Sequence, residues 1–259
     1  MSAFTAPKHQ HNPHPPISRI LVVIPARNEE ERLGTCLHHV QLAMDRWALE
    51  SELPVQLLVV LDSTTDGSLG IVHDAAHKDP RVSALNVSVQ SAGIARDLGI
   101  RRGTEAREGA EDLNSVLVAC TDGDTFVPDH WLTALSEHFN HGADAVLGTV
   151  EPDPRDTDPV LARLWHERHD PMDGTDHIYG ANMAFRAGCY IAAGGFPDLP
   201  IGEDQELIRT MRRRGMKVTH SREIHAVTSG RTQGRTEGGF AGYLRTLSSN
   251  YPSALPRLQ

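Results

Sequence analysis

Two acids separated by one glycine, Asp122-Gly123-Asp124, follow the apolar run 116–119 and precede Pro128-Asp129. They stand where a buried strand gives way to a loop and then a helix. In extended chain the two carboxylates point to one side about 6.5 Å apart. At an effective dielectric of about 20 they repel by roughly 2.5 kcal/mol. A hard divalent cation relieves that repulsion, and such ions also bind substrate phosphates. A structural alternative has Asp122 making a turn and Asp124 capping the next helix. A second acidic pair, Glu203-Asp204, follows Gly202 where a helix opens. Capping accounts for one acid, and a general base accounts for the other. Finally, Thr228-Ser229-Gly230-Arg231-Thr232-Gln233-Gly234-Arg235 sets two arginines among glycines and hydroxyls. That composition suits either a phosphate grip or a solvated loop.

These groups need a frame. The run 20–24 reads as a strand covered on both faces. After it, residues 26–30 open a helix with the apolar stripe Leu33, Leu37, Val40, Met44 and Trp47. Glu29, Glu30 and Glu31 then fall in its first turn, where the helix dipole favours anions. Arg27 stands at the strand end, where open α/β sheets bind ligands. A second strand, 55–61, runs into the turn-rich loop 62–68. Asp62 there is placed either to meet a ribose or base or to satisfy its own loop. A third strand, 82–87, leads to a helix from about residue 91 to 107, carrying Gly93 and Arg96 near its start. Strands and helices alternate up to Asp122, which predicts a parallel sheet with helices on both faces. No glycine-rich phosphate loop of the Gly-x-Gly-x-x-Gly or Gly-x-x-x-x-Gly-Lys type occurs.

The second half is patterned differently. A strand at 145–150, the breaker-rich 151–159 and a helix at 160–168 precede the segment Gly180-Ala181-Asn182, whose small residues beside an amide suggest close packing of a ligand. Two short strands, 217–220 and 223–228, and a helix from about 237 to 248 complete the pattern.

The chain has 259 residues with 39% hydrophobic and 23% charged, enough for one large α/β domain or two small ones. A net charge of −9 argues against a general nucleic-acid binder. No run reaches the roughly 20 apolar residues of a membrane span, and the N-terminus lacks the apolar core of a signal peptide. Cys36, Cys120 and Cys189 are widely spaced with no Cys-x-x-Cys, and read as small buried residues of a reduced cytoplasm with neither a disulfide frame nor a zinc site. Residues 1–18, with three histidines and four prolines, read as a disordered tail, a reading preferred to metal binding by His9, His11 and His14. Residues 250–259 read as a second tail.

With these residues assembled, the chain resembles the family 2 glycosyltransferases of the GT-A fold, which use nucleotide-diphosphate sugars. The similarity runs from about residue 20 to 247. It is carried by Val23-Ile24-Pro25-Ala26-Arg27-Asn28-Glu29-Glu30, Val60-Leu61-Asp62-Ser63-Thr64-Thr65-Asp66-Gly67-Ser68, Gly93 with Ala95-Arg96, Asp122-Gly123-Asp124, Gly180-Ala181-Asn182 before Gly194-Gly195-Phe196, and Glu203-Asp204. The resemblance implies a Rossmann-like α/β fold with a mostly parallel central sheet, helices on both faces and a small second antiparallel sheet. It implies one domain over 19–249, divided into a nucleotide-binding half, 19–125, and an acceptor-binding half, 126–249.

By the same resemblance, Pro25, Ala26, Arg27, Glu29 and Asp62 hold the nucleoside of a UDP- or GDP-linked donor, with Gly93 and Arg96 nearby. Asp122, Gly123 and Asp124 bind its diphosphate through Mg²⁺ or Mn²⁺, assisted by Arg231 and Arg235. His225 is the nominee for a further metal ligand. Asp204, beside Glu203, deprotonates the acceptor in an inverting reaction. Gly180, Ala181 and Asn182 face the sugar or acceptor, which is a small molecule, lipid or glycan. The chain departs from the family pattern where Leu61-Asp62-Ser63 replaces a pair of acids, and it lacks the Gln-x-x-Arg-Trp of processive synthases. A nucleotidyltransferase, a non-catalytic sugar-nucleotide receptor and an aspartyl-phosphate phosphatase are the competing classes. In the last of these the Asp-x-Asp belongs on the first strand, whereas three strands precede it here. Homodimerisation is left open.

Overall fold

A computed structural model describes residues 14–105, 111–169, 177–234 and 239–250. Within them one eight-stranded mixed sheet runs β3-β2-β1-β4-β7-β6-β8-β5. Its centre is β1 (Arg19–Ala26) and β4 (Val116–Thr121), both buried along their whole length. Such continuous apolar runs are stable only where both faces are covered. β1 pairs in parallel with β4 on one side and with β2 (Val55–Asp62) on the other. β3 (Val82–Val87) continues the parallel half beyond β2. β1 therefore lies between β2 and β4, the reversal of strand order at whose carboxyl ends open α/β sheets bind ligands.

The other half begins with β7 (Asn182–Arg186), antiparallel to β4, and β6 (Ala145–Pro152), antiparallel to β7. β8 (Val218–Thr228) lies parallel to β6 and carries the short antiparallel β5 (Thr125–Phe126). The antiparallel part is thus continuous with the main sheet and does not stand apart as a small second one. The two short strands expected at 217–220 and 223–228 are one strand, whose pairing with β6 shifts register between Leu147 and Thr149.

Helices cover both faces. α1 (Leu33–Glu50) buries Leu33, Leu37, Val40, Met44 and Trp47 in one core layer, shared with α4 (Trp131–Asn140) and α5 (Pro159–Arg168). α2 (Ser68–Lys78) adds Val72 to that layer, and α8 (Phe240–Asn250) adds Leu244 and Leu247. α3 (Ala92–Thr104), α6 (Ala187–Ala193) and α7 (Glu203–Arg213) pack on the opposite face.

Three expectations are corrected. α1 starts at Leu33, so Glu29, Glu30 and Glu31 precede the helix and its first turn holds no acid. Asn28 adopts φ 52°, breaking the path into a helix there. α6 was not foreseen, because seven small and aromatic residues have too short a period to read. The tail expected over 1–18 is tied down over its described part: Ile17 is buried, and the Ser18 hydroxyl meets Ser115 at 2.8 Å. Residues 1–13 and 251–259 lie outside the described residues. No helix among the described residues is long and apolar enough to cross a membrane.

Candidate active site

β1, β2 and β4 end at one edge of the sheet, which brings Arg27, Asp62 and Asp122 to a common rim as their strand-end positions predict. What each does there differs. Asp62 is buried and accepts backbone N–H bonds from Val89 and Gln90 at 2.9 Å and from Ser91 at 3.0 Å. Its carboxylate shapes the turn into α3. Arg27 makes no ion pair with any described residue.

Asp122-Gly123-Asp124 is a turn, not extended chain, closed by the Thr125 N–H donating to the Asp122 carbonyl at 3.0 Å. The two carboxylates therefore meet different cations. Arg96 Nη2 donates to Asp122 Oδ1 at 2.6 Å. Arg231 Nη2 lies 2.9 Å from Asp124 Oδ2. Gly123 packs against the end of β1: an added Cβ would stand 3.1 Å from Ala26 Cβ and 3.5 Å from the Pro25 carbonyl.

Arg231 also grips Glu29 with both ends of its fork, at 2.9 Å each. Such bidentate pairing selects arginine over lysine. Glu29 is therefore the partner of a residue 202 positions away, not the helix-dipole anion of the sequence reading. Burial and the neighbouring Glu29 charge push Asp124 up to about 6 against the pull of Arg231. The bond to Glu29 keeps the Arg231 guanidinium charged well above its ordinary range.

Arg96 is 2% exposed. Burial opposes its charge, but Asp122 and Glu203 outweigh that and hold it protonated. Its guanidinium lies 5.1 Å from the centre of the Phe196 ring. Its Nε and Nη1 have no hydrogen-bond partner among the described residues. Gly93 and Gly180 are required by close approach. A Cβ on Gly93 would lie 2.6 Å from Glu203 Cγ, and one on Gly180 would lie 3.1 Å from the Arg96 fork. Glu203 and Asp204 open α7 after Gly202, at φ 78°. Burial raises both above the usual carboxylate range. The Gly180 N–H donates to Asp204 Oδ2 at 2.9 Å.

Two nominees are redirected. Asn182 is buried within the sheet, where its amide donates to the Thr149 and Ile224 carbonyls at 2.8 and 3.0 Å and accepts from Trp131 Nε1 at 3.0 Å. With those bonds made it braces β6, β7 and β8 and has no face toward a ligand. His225 projects from β8 to Glu151, 3.2 Å away, and to the Thr149 hydroxyl at 2.8 Å. It joins neither Asp122 nor Asp124 in a compact ligand group. Ala181 is buried against the same core as Ala184. Arg235 lies outside the described residues.

The sequence reading missed the brace behind Arg231. Asp156 accepts from Ser229 Oγ at 3.0 Å and from the Gly230 N–H at 2.8 Å, and it pairs with Arg32 at 2.6 Å. Asp153 pairs with Arg32 and Arg155. The signal was present as Asp153-Pro154-Arg155-Asp156 in a segment read only as a breaker-rich loop.

Residues 21–193 match glycosyl transferase family 2, and the chain belongs to that family. No curated protein matches it significantly. Among solved structures, TarS of S. aureus aligns at TM-score 0.56 and 15% identity over 82% of this chain and 36% of its own. The mannosyltransferase PcManGT from Pyrobaculum calidifontis, in complex with GDP-Man and Mn²⁺, aligns at 0.56 and 19% over 86% and 61%. GalNAc-T7 with UDP, GalNAc and Mn²⁺ aligns at 0.58 and 13% over 94% and 52%. At those identities the likeness speaks for the GT-A fold alone. The chain spans from about a third to three fifths of the length of these proteins.

Proposed function

We propose that this chain transfers a sugar from a UDP- or GDP-linked donor to an acceptor hydroxyl, with inversion and with Mg²⁺ or Mn²⁺ at Asp122 and Asp124. The carrying observation is the meeting of Glu29, Asp124 and Arg231 at the strand ends of a family 2 chain. The donor set fits a hard cation: its atoms are carboxylate oxygens, and Asp124 is held protonation-prone by burial and a neighbouring acid. When bound, the ion would neutralise charge growing on the leaving diphosphate. Arg27, just past β1, and Arg231, held on Glu29, add positive charge that favours that departure. Asp204, aimed by the Gly180 amide, takes the acceptor proton, and burial raises its affinity for that proton.

Calorimetry with UDP and GDP, with and without Mn²⁺, tests the donor side. Asp124→Ala is expected to abolish the metal-dependent part of the affinity. Asp204→Asn is expected to bind donor normally and to lose turnover by about 100-fold or more. Normal turnover in that variant would move the base elsewhere. Pyrophosphate release from a nucleoside triphosphate would favour a nucleotidyltransferase, and tight binding without transfer or hydrolysis would favour a receptor.

A further inference from the structure

The end of the sheet opposite these acids carries a second group of chemistry-bearing side chains that the proposed reaction does not use. His14 precedes β1, Asp144 precedes β6, and Cys189 lies in α6. Their imidazole nitrogen, carboxylate oxygen and sulfur lie within 4.8 Å of one another. His14 Nε2 is 2.6 Å from Asp144 Oδ1, and Cys189 Sγ donates to the same oxygen at 3.1 Å. The Lys217 N–H holds the other oxygen, Oδ2, at 2.7 Å, fixing the plane of the carboxylate. Asp144 and Cys189 are buried.

We propose that His14, Asp144 and Cys189 form a structural zinc site that ties the segment ahead of β1 to α6 and β6. One nitrogen, one oxygen and one sulfur make a borderline-soft set suited to Zn²⁺, unlike the all-oxygen acids at the other end of the sheet. The His14–Asp144 and Cys189–Asp144 separations are those of hydrogen bonds. Around zinc, with bonds of about 2.0–2.3 Å, tetrahedral ligand atoms stand about 3.3–3.7 Å apart, so these two pairs open by less than about 1 Å. His14 lies ahead of β1 on a segment tied down at Pro15, Ile17 and Ser18, so rotation of its side chain takes up that movement. Binding releases the Cys189 thiol proton to solvent and leaves the imidazole proton on Nδ1. Water completes the coordination.

Charge makes both anionic ligands necessary. Arg186, wholly buried nearby, is held by the carbonyls of Pro15, Asn114, Phe139 and Ala143 and opposes a bare dication. A thiolate and a carboxylate together cancel the added charge, and neither does so alone.

The test titrates the metal-free full chain with Co²⁺ alone. A single equivalent is expected to bring up a near-ultraviolet thiolate charge-transfer band and the visible absorption of a tetrahedral ion. Cys189→Ser removes the band. His14→Ala weakens binding by more than about tenfold, the loss already typical of an outer-shell partner. Asp124→Ala leaves the band in place, which separates this site from the acids of the cleft. The double variant His9→Ala, His11→Ala also leaves it, which excludes chelation by the histidines farther toward the N-terminus. Zn²⁺ raises the melting temperature of the parent chain and of Asp124→Ala, and not of Cys189→Ser. Absence of the band in the parent chain, its persistence in Cys189→Ser, or its loss with His9 and His11 overturns the assignment.

Discussion

Arg231 holds Glu29 and Asp124 together, so its removal leaves two buried carboxylates facing one another. Deleting one partner of a buried pair costs about 3–5 kcal/mol, and Arg231 falls at the low end because it is partly exposed. Arg231→Met is therefore expected to lower the melting temperature, with Mn²⁺ plus a nucleoside diphosphate restoring more of the loss than it adds to the parent chain. Equal increments in the two proteins would show that the guanidinium and the cation do not share these acids. Asn182→Ala tests the redirected amide. It strands two carbonyls and an indole N–H, each worth about 1–3 kcal/mol when buried without a partner. Urea unfolding should report a loss of about 3 kcal/mol or more; a loss below about 1 kcal/mol would return Asn182 to the ligand-facing set.

The loop between β6 and α5 positions the one after β8. Asp153 is the hub that can be tested by pH. Burial raises its affinity for protons, but Arg155 and Arg32 outweigh that and hold the carboxyl down at about 2, against an ordinary 3.8. A folded-state value below the unfolded one contributes stability above about pH 4 and loses it as pH falls toward about 2. The full linkage is worth about 2 kcal/mol. Asp153→Asn should be less stable at neutral pH and show a flatter fall in stability across that acid window; an unchanged slope would detach Asp153 from the arginines. The elements around it differ in legibility. The apolar stripe of α1 was readable because it repeats over 18 residues. Its starting point was not, because the loop before it is held by side chains distant in sequence: Ser68 Oγ accepts the Glu29 N–H at 2.9 Å, and Asp66 Oδ2 accepts the Glu30 N–H at 2.9 Å.

Across the molecule, the central strands β1 and β4 are covered on both faces while β5 closes one edge of the sheet with two residues. Amide exchange should therefore be slowest in β1 and β4 and faster in β5 and the paired end of β8, where local opening needs little surface. Uniform protection across the sheet would contradict this gradient. Donor and cation together are expected to slow the β5–β8 edge, since Asp124 precedes β5 and Arg231 follows β8. No such slowing would place the cation away from Asp124.

The residue order settled which chain segments are apolar throughout and where they stop, and with that the parallel half of the sheet and the placing of Arg27, Asp62 and Asp122 at its rim. Local period and strand-end position carry that information, because burial on two faces demands an unbroken apolar run. Partnership is a different matter. That Glu29 belongs to Arg231, that Asp122 and Asp124 divide between two arginines, and that Asn182 and His225 turn to neighbouring strands follow only from crossovers that bring distant segments within a few ångströms. A charge pair 202 residues apart leaves no periodic trace, since its energy depends on three-dimensional separation and burial, which no neighbouring residue encodes.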